Sequence, residues 1–347
     1  MTTALGLFSG GLDSLLACRV VAAQGIRVRA LKFVTPFFDH DLLRREAQYR
    51  REVREKYGIE VHLVDLSRGY IDLLRNPAHG FGKNFNPCID CKIMMLTRAR
   101  ELMAGFGASF LITGEVLGQR PMSQRRDTMR IIERDSGCSD ILLRPLCAKL
   151  MDPTRPEREG LVDRERLLAF SGRGRRQQMD LAAEFGISDY PSPAGGCVLT
   201  DVNLAARIER FYNGLFAIGR EELRVSDIRL LLTGRQFRLP GGRWLVLGRN
   251  MGENQRIEAL READDWLLRM EDRPGPTGLL RRAAGSVAGA ADETEFLRLA
   301  AGLVVRYGRK SEGHRLPTAV AVTGDSGRQV LEDVAPLDDA TFRDWIV

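Results

Sequence analysis

The chain has 347 residues, of which 44% are hydrophobic and 28% are charged, and its formal net charge is +6 at pH 7. This length and apolar content supply a large hydrophobic core and predict more than one domain, while the basic excess is compatible with a polyanionic partner. No window approaches a membrane span, and six cysteines are too few for a secreted disulfide framework, so we expect a cytoplasmic protein with no membrane partner.

Apolar runs alternate with helical patterns along the first 150 residues. The apolar runs cover residues 4–8, 26–34, 59–66, 109–113 and 141–146, and the clearest helical patterns begin at residue 14 and cover residues 41–57 and 92–106. Such alternation predicts an α/β domain with a doubly wound parallel sheet. In these domains the ligand binds at the carboxyl ends of the strands, so the segments that follow the runs are candidate binding loops.

The composition and pattern of the sequence change after residue 146. Arginine-rich helical patterns at 163–170 and 174–185 are followed by a loop rich in proline and glycine at 190–197. Farther along, residues 237–243 predict a hairpin turn between two strands, the second of which begins at Trp244. We therefore predict three segments, listed in chain order: a catalytic α/β domain at 1–175, a connector that carries Cys197 at 176–222, and an α+β domain at 223–347.

The loop after the first apolar run combines two glycines with two serines and an aspartate. Gly10 and Gly11 let the backbone turn tightly and aim several N–H groups at one anion, and the helix that follows adds the positive end of its dipole. Ser9 and Ser14 supply hydroxyl donors. The spacing lacks the ending of a Walker loop and the third glycine of a dinucleotide fingerprint, which argues against a kinase or a dehydrogenase. The loop is predicted to bind pyrophosphate; the alternative is a tight connection between two packed elements.

The string Ser-Gly-Gly-x-Asp-Ser at the end of a first strand resembles the PP-loop ATP pyrophosphatase superfamily, whose domains have an adenine nucleotide alpha hydrolase-like fold. The resemblance implies that ATP is split between its α and β phosphates while a substrate oxygen is adenylated. It also implies that Asp13 lies close to the phosphates and Mg²⁺. By the same resemblance, the adenine lies near Lys32 and Phe33 at the end of the second strand, and the ribose lies near Thr113 and Gly114.

Three cysteines are candidates for metal or sulfur chemistry. Cys88 and Cys91 form a C-x-x-C pair at the entrance to a helix, where the helix dipole favours thiolates, and Cys197 lies on a separate glycine-rich loop. Three ligands leave a zinc site incomplete but suit an iron–sulfur cluster with one open iron. A metal-free alternative is a redox pair in which Cys91 or Cys197 carries a persulfide and the other resolves the disulfide. A further alternative is that Cys88 and Cys91 are small apolar residues at a helix start. The remaining cysteines are predicted to be packing residues: Cys18, Cys138 and Cys147.

Several segments jointly resemble the tRNA thiouridine synthases within this superfamily. Those similar to the catalytic domain of 4-thiouridine synthases are residues 91–96, 112–119 and 143–146. The pattern of residues 86–91 with 195–197 is also similar to the tRNA 2-thiouridylases, whose two working cysteines match Cys91 and Cys197. Cys88 is absent from the usual persulfide-type enzymes but resembles the third thiol of cluster-dependent thiolases, which implies a 4Fe-4S cluster on Cys88, Cys91 and Cys197.

The C-terminal half resembles the RNA-binding domain of NFACT proteins. The segments that carry this likeness are residues 244–250, 253–254, 265–269, 274–275 and 299–301. It implies a grip on tRNA, with Arg249 and Asn250 as the best candidate contacts; a hairpin surface with a structural asparagine is the alternative. The cluster of Arg173, Arg175 and Arg176 contains no acid and is a second candidate for tRNA backbone contact.

Together these resemblances imply an ATP-dependent tRNA sulfurtransferase. It would adenylate a carbonyl oxygen of a uridine, release pyrophosphate and introduce sulfur, giving 4-thiouridine. Its partners would be tRNA and a sulfur donor, either a cysteine desulfurase or sulfide, and a homodimer is compatible with the sequence. The alternatives are a non-catalytic protein that binds ATP and RNA, and a PP-loop ligase that acts on a small molecule.

Overall fold

The computed structural model describes residues 2–191, 197–283, 290–311, 313–325 and 327–347. The chain divides into two compact units, Met1–Val202 and Asn203–Val347, so the predicted connector at 176–222 is shared between them. Gly195 and Gly196, which carried part of the resemblance, lie outside the described residues. Within the described ranges, no helix is both long enough and apolar enough to cross a bilayer.

The first unit is built on a parallel sheet. Its strands are β1 (Thr3–Leu7), β2 (Arg27–Val34), β3 (Glu60–Asp65), β4 (Phe110–Thr113) and β5 (Leu142–Leu143). Their order is β3-β2-β1-β4-β5, and every pairing is parallel. The predicted doubly wound α/β fold is confirmed. From β1 the strands are added on one side as β2 and β3, and then on the other side as β4 and β5. The ligand of such a sheet binds at this switch point, between β1 and β4.

Helices cover the faces of this sheet. They are α1 (Leu12–Ala22), α2 (Glu46–Tyr57), α3 (Ser67–Leu73), α4 (Cys88–Phe106), α5 (Arg126–Ser136), α6 (Arg155–Arg158) and α7 (Arg176–Glu184). The helix predicted at 163–170 is wrong: only Arg164–Arg166 forms a 3-10 turn. The reason is that Leu168 and Phe170 donate their N–H groups to the backbone of Pro145 and Leu146 and so run extended beside that segment.

Two apolar clusters fill the space on either side of the sheet. One cluster includes Phe8 and Ile112 together with the buried face of α1, and the other includes Leu5 and Leu111 with the buried face of α4. Neighbouring strand residues alternate between the two clusters because side chains along a strand point to opposite faces. β1, β4 and β5 are buried along almost their whole length and read in sequence as continuous apolar runs, whereas β3 is only partly buried.

The second unit is an α+β domain on an antiparallel sheet. Its strands are β6 (Arg235–Arg238), β7 (Trp244–Leu247), β8 (Trp266–Met270), β9 (Gly278–Arg281), β10 (Thr318–Gly324) and β11 (Gly327–Val334). Their order is β11-β10-β8-β9-β7-β6. The helices are α8 (Val202–Tyr212), α9 (Val225–Leu231), α10 (Met251–Ala259), α11 (Ala290–Arg306) and α12 (Asp339–Phe342). The predicted hairpin is present, because β6 pairs antiparallel with β7.

Candidate active site

The predicted pyrophosphate loop connects β1 to α1. Gly10 has a φ of +86°, a left-handed conformation that glycine adopts without strain, and Gly11 precedes the first helical residue. The Ser14 hydroxyl donates to the Gly11 carbonyl at 2.8 Å, and the Ser9 and Ser14 hydroxyl oxygens are 3.1 Å apart. Among the described residues no side chain caps this helix start, so its first N–H groups are available to an anion.

A lysine from the end of β2 reaches this loop. Lys32 Nζ donates to the carbonyl oxygen of Ser9 at 2.5 Å and pairs with Asp39 Oδ2 at 2.5 Å, although the lysine is only 5% exposed. The neighbouring Phe33 belongs to the apolar cluster against α4. The structure therefore puts the ammonium group of Lys32 beside the predicted phosphate position, whereas Phe33 contributes to the core.

The loop after β4 lies directly against the start of α1. A Cβ atom added to Gly114 would lie 2.4 Å from the carbonyl carbon and oxygen of Asp13 and 2.5 Å from the backbone nitrogen of Ser14. Only glycine permits backbones to approach this closely. The sequence-predicted residues Thr113, Gly114 and Asp13 are thus brought together at the switch point of the sheet.

The two carboxylate oxygens of Asp13 differ in their hydrogen bonding among the described residues. Its Oδ2 accepts a hydrogen bond from Gln119 Nε2 at 2.8 Å and lies 3.8 Å from a guanidinium nitrogen of Arg175. Its buried Oδ1 has no hydrogen-bond partner within the described part of the chain. An unpaired carboxylate oxygen beside a phosphate loop is the ligand type that Mg²⁺ prefers, so the residues present fit the implied metal. Arg175, which the sequence predicted to contact RNA, lies beside Asp13, and its contact with RNA stays a prediction.

A buried ionic network joins this loop to the cysteine helix. Glu115 accepts from Arg144 Nε at 3.0 Å and lies 3.5 Å from Lys92 Nζ, while Arg144 also pairs with Glu133. Burial alone would raise the pKa of Glu115, but the charges of Lys92 and Arg144 outweigh burial and hold that pKa below its usual value. The carboxylate is therefore ionised and fixes the position of the Lys92 ammonium group.

The sequence pattern predicted no role for Lys92, Glu115 or Arg144, although each lies in one of the segments that carry the family resemblance. The signal was present, because Lys92 directly follows Cys91, and Glu115 directly follows Gly114. What the sequence did not reveal is that residues 92, 115 and 144 meet, since they come from three separate elements.

The three candidate cysteines are half-buried free thiols in the first unit. Cys88 is the first residue of α4, and Cys91 lies in its first turn. Burial raises the pKa of Tyr70 well above its usual value, and the charges of the Cys91, Cys197 and Cys88 thiolates and a hydrogen bond with Cys91 raise it further. Burial also raises the pKa of Cys197, and the thiolate charges of Cys91 and Cys88 add to that effect. The three thiols that the sequence singled out therefore lie around Tyr70.

Burial works against ionisation of these thiols. It raises the pKa of Cys91 to about 11, although the Tyr70 hydrogen bond and the charge of Lys92 act in the opposite direction. It raises the pKa of Cys197 to about 12. The helix start alone favours a thiolate, as the sequence predicted, but loss of solvation dominates at Cys91.

The chemistry of the donor set fits an iron–sulfur cluster, which takes cysteine thiolates as ligands. The positions of the donors do not form a closed site: in the described ranges, no group of three or more His, Cys, Asp or Glu side chains is arranged to hold a metal ion. The other cysteines are all buried, as expected of packing residues: Cys18, Cys138 and Cys147.

The predicted RNA contacts of the second unit have structural roles. Asn250 caps α10, because its side-chain oxygen accepts from the backbone N–H of Glu253 at 3.0 Å. Arg249 pairs with the same glutamate, with 2.6 Å between its terminal nitrogen and Glu253 Oε1. Arg173 and Arg176, from the first unit, are exposed and make no ion pair with any described residue.

Each of the two units contains a segment that matches the model of a known family. Residues 1–152 match the model of the thiamine biosynthesis protein (ThiI) family, and residues 234–346 match that of the NFACT protein RNA binding domain. A probable tRNA sulfurtransferase of Thermococcus kodakarensis is 26% identical over 144 residues, which are 41% of this chain and 36% of that protein. A tRNA sulfurtransferase of Marinobacter nauticus is 29% identical over 151 residues, 42% of this chain and 29% of that protein.

The chain spans about a third of the length of these curated relatives. Among solved structures, a 4-thiouridine synthetase–RNA complex with bound ATP is 21% identical with a TM-score of 0.34, and the match covers 55% of this chain and 54% of that one. The two resemblances found in the sequence, to a PP-loop tRNA thiouridine synthase domain and to an NFACT-type RNA-binding domain, are confirmed for residues 1–152 and 234–346.

Proposed function

We propose that the protein is an ATP-dependent tRNA sulfurtransferase that converts a uridine to thiouridine, specifically 4-thiouridine. One observation carries the proposal: a continuous set of contacts joins the phosphate loop to the cysteines. Gly114 lies against the backbone of Asp13, the adjacent Glu115 pairs with Lys92, and Lys92 follows Cys91 in the chain. The residues proposed for nucleotide activation and those proposed for sulfur chemistry therefore belong to one unit.

In the first half-reaction a uridine carbonyl oxygen attacks the α phosphorus of ATP, the bond to the β phosphate breaks, and pyrophosphate leaves. The N–H groups at the start of α1, the Ser9 and Ser14 hydroxyls and the Lys32 ammonium group bind the β and γ phosphates. The unpaired Oδ1 of Asp13 would hold Mg²⁺, which offsets the charge on the leaving pyrophosphate. Gln119 and Arg175 orient this carboxylate through its other oxygen.

In the second half-reaction a sulfur nucleophile attacks the activated carbon and AMP leaves. Cys88, Cys91 and Cys197 would hold a 4Fe-4S cluster, which when bound supplies an iron with an open coordination position for sulfur. Tyr70, whose hydroxyl lies beside Cys91, would help to orient that ligand. The half-burial of the thiols limits the access of water, which would hydrolyse the activated base.

A second candidate for this step uses Cys91 and Cys197 alone, since the charge of Cys91 acts on the ionisation of Cys197. Here the terminal sulfur of a persulfide on Cys197 attacks the base, Cys91 attacks the inner sulfur, and a Cys91–Cys197 disulfide forms. A cysteine desulfurase would supply the outer sulfur by transfer from its own persulfide to the Cys197 thiol, and an external thiol reductant would return the disulfide to two thiols.

The second unit would hold the tRNA. The NFACT match predicts RNA binding there, and the exposed guanidinium groups of Arg173 and Arg176 would contact phosphates near the active site. The contribution of Arg249 is expected to be smaller, because Glu253 already neutralises it.

The test of the function is pyrophosphate release from ATP with purified chain and unmodified tRNA, followed by mass spectrometry of the nucleosides. We expect release that depends on tRNA, and thiouridine when a sulfur donor is present. Release stimulated by a small metabolite instead would favour a PP-loop ligase. Binding of ATP and tRNA without any release would favour a non-catalytic protein.

The sulfur carrier is tested separately by anaerobic absorption spectra with iron and sulfide analysis. We expect a broad iron–sulfur band that is lost in Cys88→Ala and retained in the control Cys138→Ala, whose cysteine is buried elsewhere in the unit. If the protein is colourless and still forms thiouridine, even as the Cys88→Ala variant, the result would indicate that the Cys91–Cys197 pair carries the sulfur.

A further inference from the structure

An exposed aromatic side chain stands out in the loop that leads to the cysteines, residues 80–86. Phe81 is 39% exposed and stacks on the buried ring of Phe85, with 4.2 Å between ring centroids and 20° between ring planes. Phe85 therefore holds one face of the Phe81 ring, and the exposure of Phe81 leaves ring surface open to solvent. An aromatic ring fixed in this way presents a rigid stacking surface at low entropic cost.

This loop, which we call the aromatic loop, is attached to the segments that carry two of the candidate cysteines. Asn86 Nδ2 donates to Cys88 Sγ at 3.2 Å. Asn84 Nδ2 donates to the carbonyl oxygen of Thr200 at 2.8 Å, and the Thr200 hydroxyl donates to the carbonyl oxygen of Cys197 at 2.6 Å. A ligand stacked on Phe81 would therefore lie beside the proposed sulfur site.

The charges near this ring suit a nucleic acid. Lys83, two residues after Phe81, is exposed and has no ion pair with any residue the structure describes. Arg120 is also exposed and unpaired within the same ranges, and its loop contacts the aromatic loop through Met122, whose sulfur accepts from Asn86 Nδ2 at 3.6 Å. An open aromatic face next to free cations is the combination that binds single-stranded nucleic acid, since the ring stacks on bases and the cations contact phosphates.

We propose that Phe81 is a stacking platform for a base of the RNA substrate, next to the uridine that reacts, with Lys83 and Arg120 on the flanking phosphates. The inference deepens the proposed function and rests on it, because it takes RNA as the substrate. Every nucleobase has an aromatic face, so the platform contributes affinity and position rather than sequence selection. A uridine displaced from its own stack needs such a surface, because its neighbours lose their stacking partner.

The experiment compares Phe81→Leu with Phe81→Trp in the full chain, by fluorescence anisotropy with unmodified tRNA. Leucine keeps an apolar contact with Phe85 but has no aromatic face, whereas tryptophan keeps the face. We expect Phe81→Leu to weaken tRNA binding by about 5- to 150-fold, the range for loss of one stacked base, and Phe81→Trp to bind like the wild type. Equal weakening in both variants, or in neither, would overturn the platform.

A direct readout is photo-cross-linking of tRNA that carries 5-iodouridine, with the cross-linked peptide identified by mass spectrometry. A cross-link to the peptide containing Phe81 supports the proposal, and cross-links confined to other peptides overturn it. Lys83→Gln should reduce the steepness of log affinity against log salt concentration by roughly one, as expected for the loss of one phosphate contact. An unchanged slope would argue against a phosphate contact at Lys83. Failure of the wild-type chain to bind tRNA at all would instead refute the proposed function.

Discussion

The contact between the β4 loop and the start of α1 gives a sharp prediction for Gly114→Ala. The added Cβ would lie 2.4 Å from the carbonyl of Asp13 and 2.5 Å from the nitrogen of Ser14, against 3.4 Å or more in an ordinary contact. All of these atoms are backbone, so no side-chain rotation relieves the overlap. The loop and the helix start must separate by about 1 Å, and displacements of this size in an active site cost about 100-fold in rate.

The same overlap has a cost in stability. Overpacking of this kind typically costs about 1–3 kcal/mol, so the variant should fold but unfold at lower denaturant concentration. We expect it to bind ATP at least about tenfold more weakly, because the N–H groups and the Asp13 carboxylate no longer point at one place. Isothermal titration with ATP and Mg²⁺, together with urea unfolding, measures both effects.

Gly105→Ala is the matched control. Gly105 lies in α4, and an added Cβ there meets no atom within 4 Å. The control should therefore bind ATP normally, and the higher helix propensity of alanine should stabilise it by up to about 1 kcal/mol. If Gly114→Ala binds ATP and releases pyrophosphate as well as this control, the contact between the loop and the helix start does not organise the nucleotide site.

Three further predictions concern charged groups. Asp13→Asn should lower pyrophosphate release by about 10²–10³-fold with an unchanged unfolding curve, because it removes a transition-state contact rather than packing. Unchanged release at limiting Mg²⁺ would exclude Asp13 as a ligand. Arg144→Met should destabilise the chain by about 3–5 kcal/mol in urea unfolding, since it leaves buried carboxylates without their cation; a change below 1 kcal/mol would contradict the buried network. His79 hydrogen-bonds Asp90 and also pairs with Asp135, which raises its pKa above 6.5. Its stabilising contribution is complete below pH 6.5 and disappears as the pH rises through the higher folded pKa. The difference in Tm between wild type and His79→Gln should therefore be larger at pH 6 than at pH 9, and a constant difference would refute this assignment.

The sequence predicted the first unit well because three of its strands, β1, β4 and β5, are buried along almost their whole length. A strand such as β1, covered by apolar clusters on each side, cannot carry polar residues and appears as a continuous apolar run. The glycine pair of the phosphate loop was also predictable from the sequence, because the positive φ of Gly10 is a conformation that favours glycine. By contrast, residues 163–170 have a helical pattern but form bonds to a distant segment, which no local pattern reveals.

The sequence also could not show which of its predicted arginines are already paired. Arg249 forms an ion pair with Glu253, and Arg175 lies within ion-pair distance of Asp13. Arg173 and Arg176 are exposed and have no ion-pair partner among the described residues. A cation that is already neutralised gains less from a phosphate than a free one, because the existing pair must be broken first. The free cations of the first unit thus form a better phosphate-binding set than Arg249. Under the proposed function, RNA affinity should accordingly depend on Arg173 and Arg176 as well as on the unit that matches the NFACT RNA-binding domain.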